Sequence, residues 1–106
     1  NKKVIVEKNY LFTDSLPKVI KSIQIEYLDG YEINKRLNKK NDELVVVRIV
    51  PLSFANGEFF INIIPFRVIK EKNNLRYLNS GGSKLVFTYN CETNSFTFKE
   101  IIRGNI

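Results

Sequence analysis

Between Leu44 and Ile69 the chain reads LVVVRIVPLSF, then ANG, then EFFINIIPFRVI, and this stretch constrains the fold more than any other. Both runs are rich in β-branched and aromatic residues, which suit a pleated, half-buried surface. Asn-Gly between them is the strongest short hairpin signal, because a type I′ turn needs two residues that tolerate positive φ. With Asn56 and Gly57 at the centre, Phe54 pairs with Phe59, Leu52 with Ile61 and Val50 with Ile63. Six large apolar side chains then share one face near the turn. Each strand carries a proline, Pro51 and Pro65. Proline has no N–H to give a ladder, so each marks a bulge, an edge or a bend at which the inward face can switch.

A second hairpin follows. Leu85, Phe87, Tyr89 and Cys91 alternate with Val86, Thr88 and Asn90, and Phe96 to Ile102 forms the return strand. Centring the turn on Thr93-Asn94 pairs Cys91 with Phe96, Tyr89 with Phe98 and Leu85 with Ile102, with one face on the core. Lys2 to Lys8 reads as a first strand around Val4, Ile5 and Val6. Leu75 and Tyr77 mark a short strand in the polar stretch Lys70 to Lys84, and Asn79 to Ser83 reads as a loop.

Leu16 to Leu28 is the main helix expectation. At about 100° per residue, Leu16, Val19, Ile20, Ile23 and Tyr27 share an arc of roughly 100°. Asp14 or Ser15 can cap its start, Pro17 sits where a missing N–H costs little, and Gly30 can end it. The competing reading is a strand through Ile23, Ile25 and Tyr27 with a hairpin at Asp29-Gly30. Tyr31 to Asn38 suggests a further short helical piece. The expected architecture is α+β over a single domain, residues 1–106. One N-terminal amphipathic helix packs on a curved antiparallel sheet of four to five strands. The alternative is an all-β sandwich or open barrel. The element order resembles the cystatin-like and NTF2-like architectures, and architecture alone does not determine function.

Composition then limits the chemistry. The chain has no histidine, no tryptophan and one cysteine. A Ser-His-Asp triad, a Cys-His dyad and a His-rich zinc site therefore cannot form within it. No catalytic, metal or cofactor residues are expected. Proton transfer by Asp and Tyr in a cavity is the remaining enzymatic route, and the expected inner face carries almost no acid, Glu100 excepted. No apolar run approaches the ~18 residues that span a bilayer, and no signal peptide is visible. The chain starts at Asn1 and contains no methionine, although translation begins with Met. A removed signal peptide or lipoprotein leader, or trimming of a larger protein, accounts for this. The first option points to an extracytoplasmic location, periplasmic or at the cell surface.

The formal net charge of +6 favours acidic partners, but acidic residues are interspersed through most of the chain. Four features invite a functional reading. Arg48 and Arg67 fall on one face of adjacent strands in the register above and would make a small anion site; if the prolines switch the strand faces, both simply face water. Lys35, Arg36, Lys39 and Lys40 are the densest basic cluster, suited to a phosphate backbone or an anionic membrane surface, or merely a solvated helix end. Cys91 is expected on the inner face beside Phe96, as a small hydrophobe. Gly81-Gly82-Ser83-Lys84 matches the tail of a phosphate-binding loop but lacks its first glycine and the helix after it.

The leading functional expectation is a non-catalytic protein- or peptide-binding module, with Arg48, Arg67, Lys35, Arg36, Lys39 and Lys40 as candidate anion or partner contacts. Two alternatives stand beside it. One is a small basic nucleic-acid-binding or regulatory domain. The other is a domain with a small-molecule pocket between sheet and helix.

Overall fold

The Asn56-Gly57 turn forms as the sequence predicts, with φ of 52° and 77° at its two residues. It joins strands β4 (Leu44–Ala55) and β5 (Glu58–Glu71), the longest in the molecule. The structure, a computed structural model, describes residues 2–40 and 43–104. The other elements are β1 (Lys3–Glu7), a 3-10 turn (Thr13–Ser15), β2 (Val19–Ile20), β3 (Ile23–Leu28) and helix α1 (Gly30–Lys40). They are followed by β6 (Asn74–Asn79), β7 (Ser83–Asn90) and β8 (Ser95–Arg103).

The expected N-terminal helix on a four- to five-stranded antiparallel sheet is not what forms. The described residues build one mixed sheet of eight strands, ordered β2-β3-β1-β4-β5-β7-β8, with β6 also on β5. The all-β alternative fits only in part: the described residues are mostly strand, but α1 contributes to the core. Strand β1 lies between β3 and β4, parallel to both. Parallel neighbours need crossovers. The segment after β1 supplies one crossover and α1 the other.

Residues 16–28 form a short hairpin and a strand instead of a helix. Lys21 takes a positive φ of 55°, and Ile20 pairs with Ile23 across it. Period two fits Ile23, Ile25 and Tyr27 as well as period 3.6 does, and the β-branched residues favour the strand. Pairing from Lys3–Gln24 to Glu7–Leu28 decides the matter by giving β1 a full-length parallel neighbour. The competing strand reading is right about β3 but not about a hairpin at Asp29-Gly30.

Asp29 instead starts a helix. Its Oδ1 accepts the Glu32 N–H at 2.8 Å, while Glu32 Oε1 accepts the Asp29 N–H at 3.1 Å. This reciprocal capping box satisfies two donors that a helix start leaves unpaired. Ile33 and Leu37, one turn apart, are the buried residues among the described side chains of α1, packing with Leu28, Val46 and Val68. These five buried side chains form the contact between helix and sheet.

Strand β5 serves both halves of the molecule. Its residues 66–71 pair with β6, and its residues 59–63 with β7. Strands β6 and β7 run end to end along it, separated by residues 80–82, where the Ser80 N–H donates to the Pro65 carbonyl at 3.0 Å. The sheet beyond α1 continues as an arm made of the turn end of β4 and β5 with β7 and β8. The molecule is correspondingly elongated, 52 × 27 × 25 Å.

Candidate functional site

A bulge in β4 determines which side chains share a face. The β4–β5 register shifts between Val50 and Ser53, around Pro51 and Leu52. Phe54 still faces Phe59 as expected, but Val50 faces Asn62 and Ile49 faces Ile63. The one-residue shift places Arg48 opposite Ile64 and Arg67 opposite Val45, so the two guanidiniums leave opposite faces of the sheet.

Neither arginine is left without a carboxylate. Arg48 grips Glu7 with two bonds, Nε–Oε1 at 2.9 Å and Nη2–Oε2 at 3.0 Å, and lies 4.7 Å from the Phe66 ring centroid and 5.4 Å from that of Tyr77. It seals the helix end of the core by ion pairing and cation–π contact. Burial raises the Tyr77 hydroxyl pKa beside it. Arg67 pairs with Glu43 at 2.8 Å.

The basic cluster divides. Arg36 makes a two-bonded pair with Glu26 at 2.7 and 2.8 Å, and Lys3 reaches the same carboxylate at 3.1 Å. The Arg36 hydrogen bonds, helped by Lys3 and against the pull of partial burial, hold the Glu26 carboxyl at about 2, below its ordinary 4.5. Lys35 and Lys39 are exposed. With Lys3, Arg36, Tyr31 and Glu32 they line an open groove of about 620 Å³ beside α1. The Lys40 side chain lies outside what the structure describes. Among the described residues, no three histidine, cysteine or acidic side chains gather as metal ligands, and no helix is long and apolar enough to cross a membrane. Gly81 and Gly82 lead directly into β7 as a plain connection.

The arm carries the least expected surface. Its second hairpin forms with a shifted register: Tyr89 faces Phe96, Phe87 faces Phe98 and Leu85 faces Ile101. Cys91 lies exposed in the turn at residues 91–94, not on an inner face, and Glu100 faces Val86 rather than Phe87. The Asn90 side chain accepts the Glu92 N–H at 2.8 Å, which draws Cys91 into the turn.

In this register Phe54, Phe59, Phe87 and Phe98 form one row across four strands, with Tyr89 and Phe96 beyond it towards the tip. Ile61, Leu85 and Ile101 form the next row on the same face. The rings pack edge to face or tilted: Phe54–Phe59 centroids lie 4.7 Å apart, Phe59–Phe96 5.2 Å, Tyr89–Phe96 5.0 Å and Phe87–Phe98 5.7 Å. None of these positions is charged; the first charge on this face is Arg103, one row further in. The reverse face holds Glu58, Lys84, Thr88, Thr97 and Glu100, with Lys99 on Glu58 and Lys84 Nζ 4.4 Å from the Phe60 ring centroid.

Such alternation normally signals one face on a core and one in water. Here α1 covers the face that becomes polar in the arm, and only at its far end, because Val46 and Phe66 share their face with Asn62 and Phe60. Among the described residues, no element covers the apolar face of the arm. Phe54 remains 63% exposed, Phe96 and Phe98 52%, Ile101 42% and Tyr89 41%. The sequence signals an apolar face at these positions; it carries no signal for what covers that face.

No family model, curated protein or solved structure matches the chain.

Proposed function

We propose that this chain is a non-catalytic protein-binding module and that its docking surface is the open aromatic face of the arm. The observation that carries the reading is a continuous, uncharged apolar face over which the described residues place no layer. Contiguous apolar patches rimmed by polar residues mark protein contacts, and aromatic side chains are enriched at such contacts. The fitting partner presents an uncharged apolar surface of its own. The buried cluster of Ile33 and Leu37 with Leu28, Val46 and Val68 between α1 and the sheet favours action at a surface.

Hydroxyl-radical footprinting of the chain, pure and in extract of its native cells, tests this. Tyr10 and Tyr31, 75% and 73% exposed, provide the internal standard. Phe54, Phe96 and Phe98 are expected to label well below their exposure relative to that standard when the partner is present. Labelling in proportion to exposure under both conditions would overturn the reading.

The groove lined by Lys3, Lys35, Arg36 and Lys39 favours a second reading, binding of a nucleic-acid backbone. It predicts weak, steeply salt-dependent binding that Lys35→Glu with Lys39→Glu abolishes. Undiminished binding by that double variant, or none by wild type at low salt, would remove it.

A further inference from the structure

We propose that the partner of the open face is a second copy of this chain, packed face to face about a two-fold axis so that the two arms form a β-sandwich. The proposal rests on the reading of that face as a docking surface and adds the occupant.

Area supports it. An aromatic side chain offers about 150–250 Å². At the observed exposures, Phe54, Tyr89, Phe96, Phe98 and Ile101 leave on the order of 500 Å² of apolar surface per chain. Two copies would bury roughly 1,000 Å², about the minimum for a specific interface, before the half-buried Phe59, Ile61, Leu85 and Phe87 are counted.

Charge supports it independently. A two-fold interface sets each patch against itself, so any charge near the axis meets its own copy. In a chain of net charge +6, most surfaces would set lysine against lysine. The apolar face of the arm carries no charge as far as Arg103, whereas the reverse face carries Glu58, Lys84, Lys99 and Glu100. A two-fold contact through the open face therefore sets no charge against its own copy.

The shape permits the contact. Helix α1 lies on the other side of the sheet and at the other end of the long axis, so it does not obstruct two arms approaching at the ~10 Å spacing of packed sheets. The rival mode, side-by-side pairing of β8 edges, is opposed by the register shift beside Phe87, which leaves Lys99 bulged between Phe98 and Glu100.

Sedimentation equilibrium of the pure chain from ~1 to ~100 µM, in reducing buffer so that Cys91 cannot cross-link copies, provides the test. The expected result is a mass that rises to a dimer and stops. Phe98→Asp should raise the dimer Kd at least a hundredfold, and Thr97→Asp, on the reverse face of the same strand, should leave it within threefold. Concentration-dependent footprinting of wild type keeps the test independent of variant folding: Phe96 and Phe98 protection should follow the mass. A monomer at every concentration overturns the proposal; if those residues are still protected in cell extract, the docking reading survives with a different partner. A dimer indifferent to Phe98→Asp, or a mass that grows past the dimer, also overturns it.

Discussion

Glu26 shows how a single side chain ties this fold together. It receives Arg36 from α1 and Lys3 from β1, and so joins the helix to the sheet outside the apolar core. Its carboxyl titrates at about 2 in the folded chain against an ordinary 4.5. The stabilisation is complete above 4.5 and is lost as pH falls towards 2, because the unfolded chain takes up the proton first. Urea unfolding of wild type and Glu26→Gln from pH 6 to pH 2 should show the wild-type advantage shrink through that window. An advantage constant with pH would refute the assignment. Asn62 is the converse case. Its Oδ1 is buried with no hydrogen-bond partner among the described residues, on β5 between Val50 and Lys84. Removing an unsatisfied polar atom of this kind is worth about 1 kcal/mol, so Asn62→Val should stabilise the chain, measured as a higher urea midpoint at unchanged slope. Cys91 should react with a thiol reagent in the native state at close to the unfolded rate, since it is exposed.

Among the elements, α1 depends on its first turn. The motif Asp29-x-x-Glu32 is a capping signature present in the sequence, and it was masked by the reading of Gly30 as a helix stop. Asp29→Ala should cost about 1 kcal/mol, visible in thermal unfolding, with Glu32→Ala costing less because Asp29 still accepts one N–H. The hairpins were legible because local chemistry determines them: Asn56-Gly57 dictates its turn and, with it, the Phe54–Phe59 pair. Registers farther from a turn were not legible. The shift at Pro51-Leu52 separates Arg48 from Arg67, and proline signals an irregularity without saying how many residues it absorbs. In the second hairpin the turn spans residues 91–94 after Asn90 rather than centring on Thr93-Asn94, which moves the register by two residues near the turn and by one at Leu85. The strand in residues 23–28 needed knowledge of a non-local partner, β1, which no window of local periodicity contains. The basic cluster was legible as composition, but its division between Arg36 on Glu26 and an exposed Lys35 and Lys39 follows from the β3–α1 packing.

As a whole molecule, the chain concentrates its burial at one end. Leu28, Ile33, Leu37, Val46 and Val68 form the core cluster there, while every residue of β8 is exposed. Leu37→Ala, in that core, should cost about 2–4 kcal/mol by denaturant unfolding. Hydrogen exchange should divide the same way: amides of β4 and β5 near Val46 and Val68 exchange last and those of β8 first, unless association covers the arm.

The end-to-end placement of β6 and β7 along β5 has one more consequence. Only residues 80–82 join them, and each strand holds β5 through its own ladder. The backbone there is a tether between two docked pieces rather than part of either. A chain divided between Gly81 and Gly82 should therefore reassemble from its fragments, the C-terminal one re-entering as a hairpin laid against β5. The molecule would then serve as a split reporter whose two parts find each other by strand pairing alone.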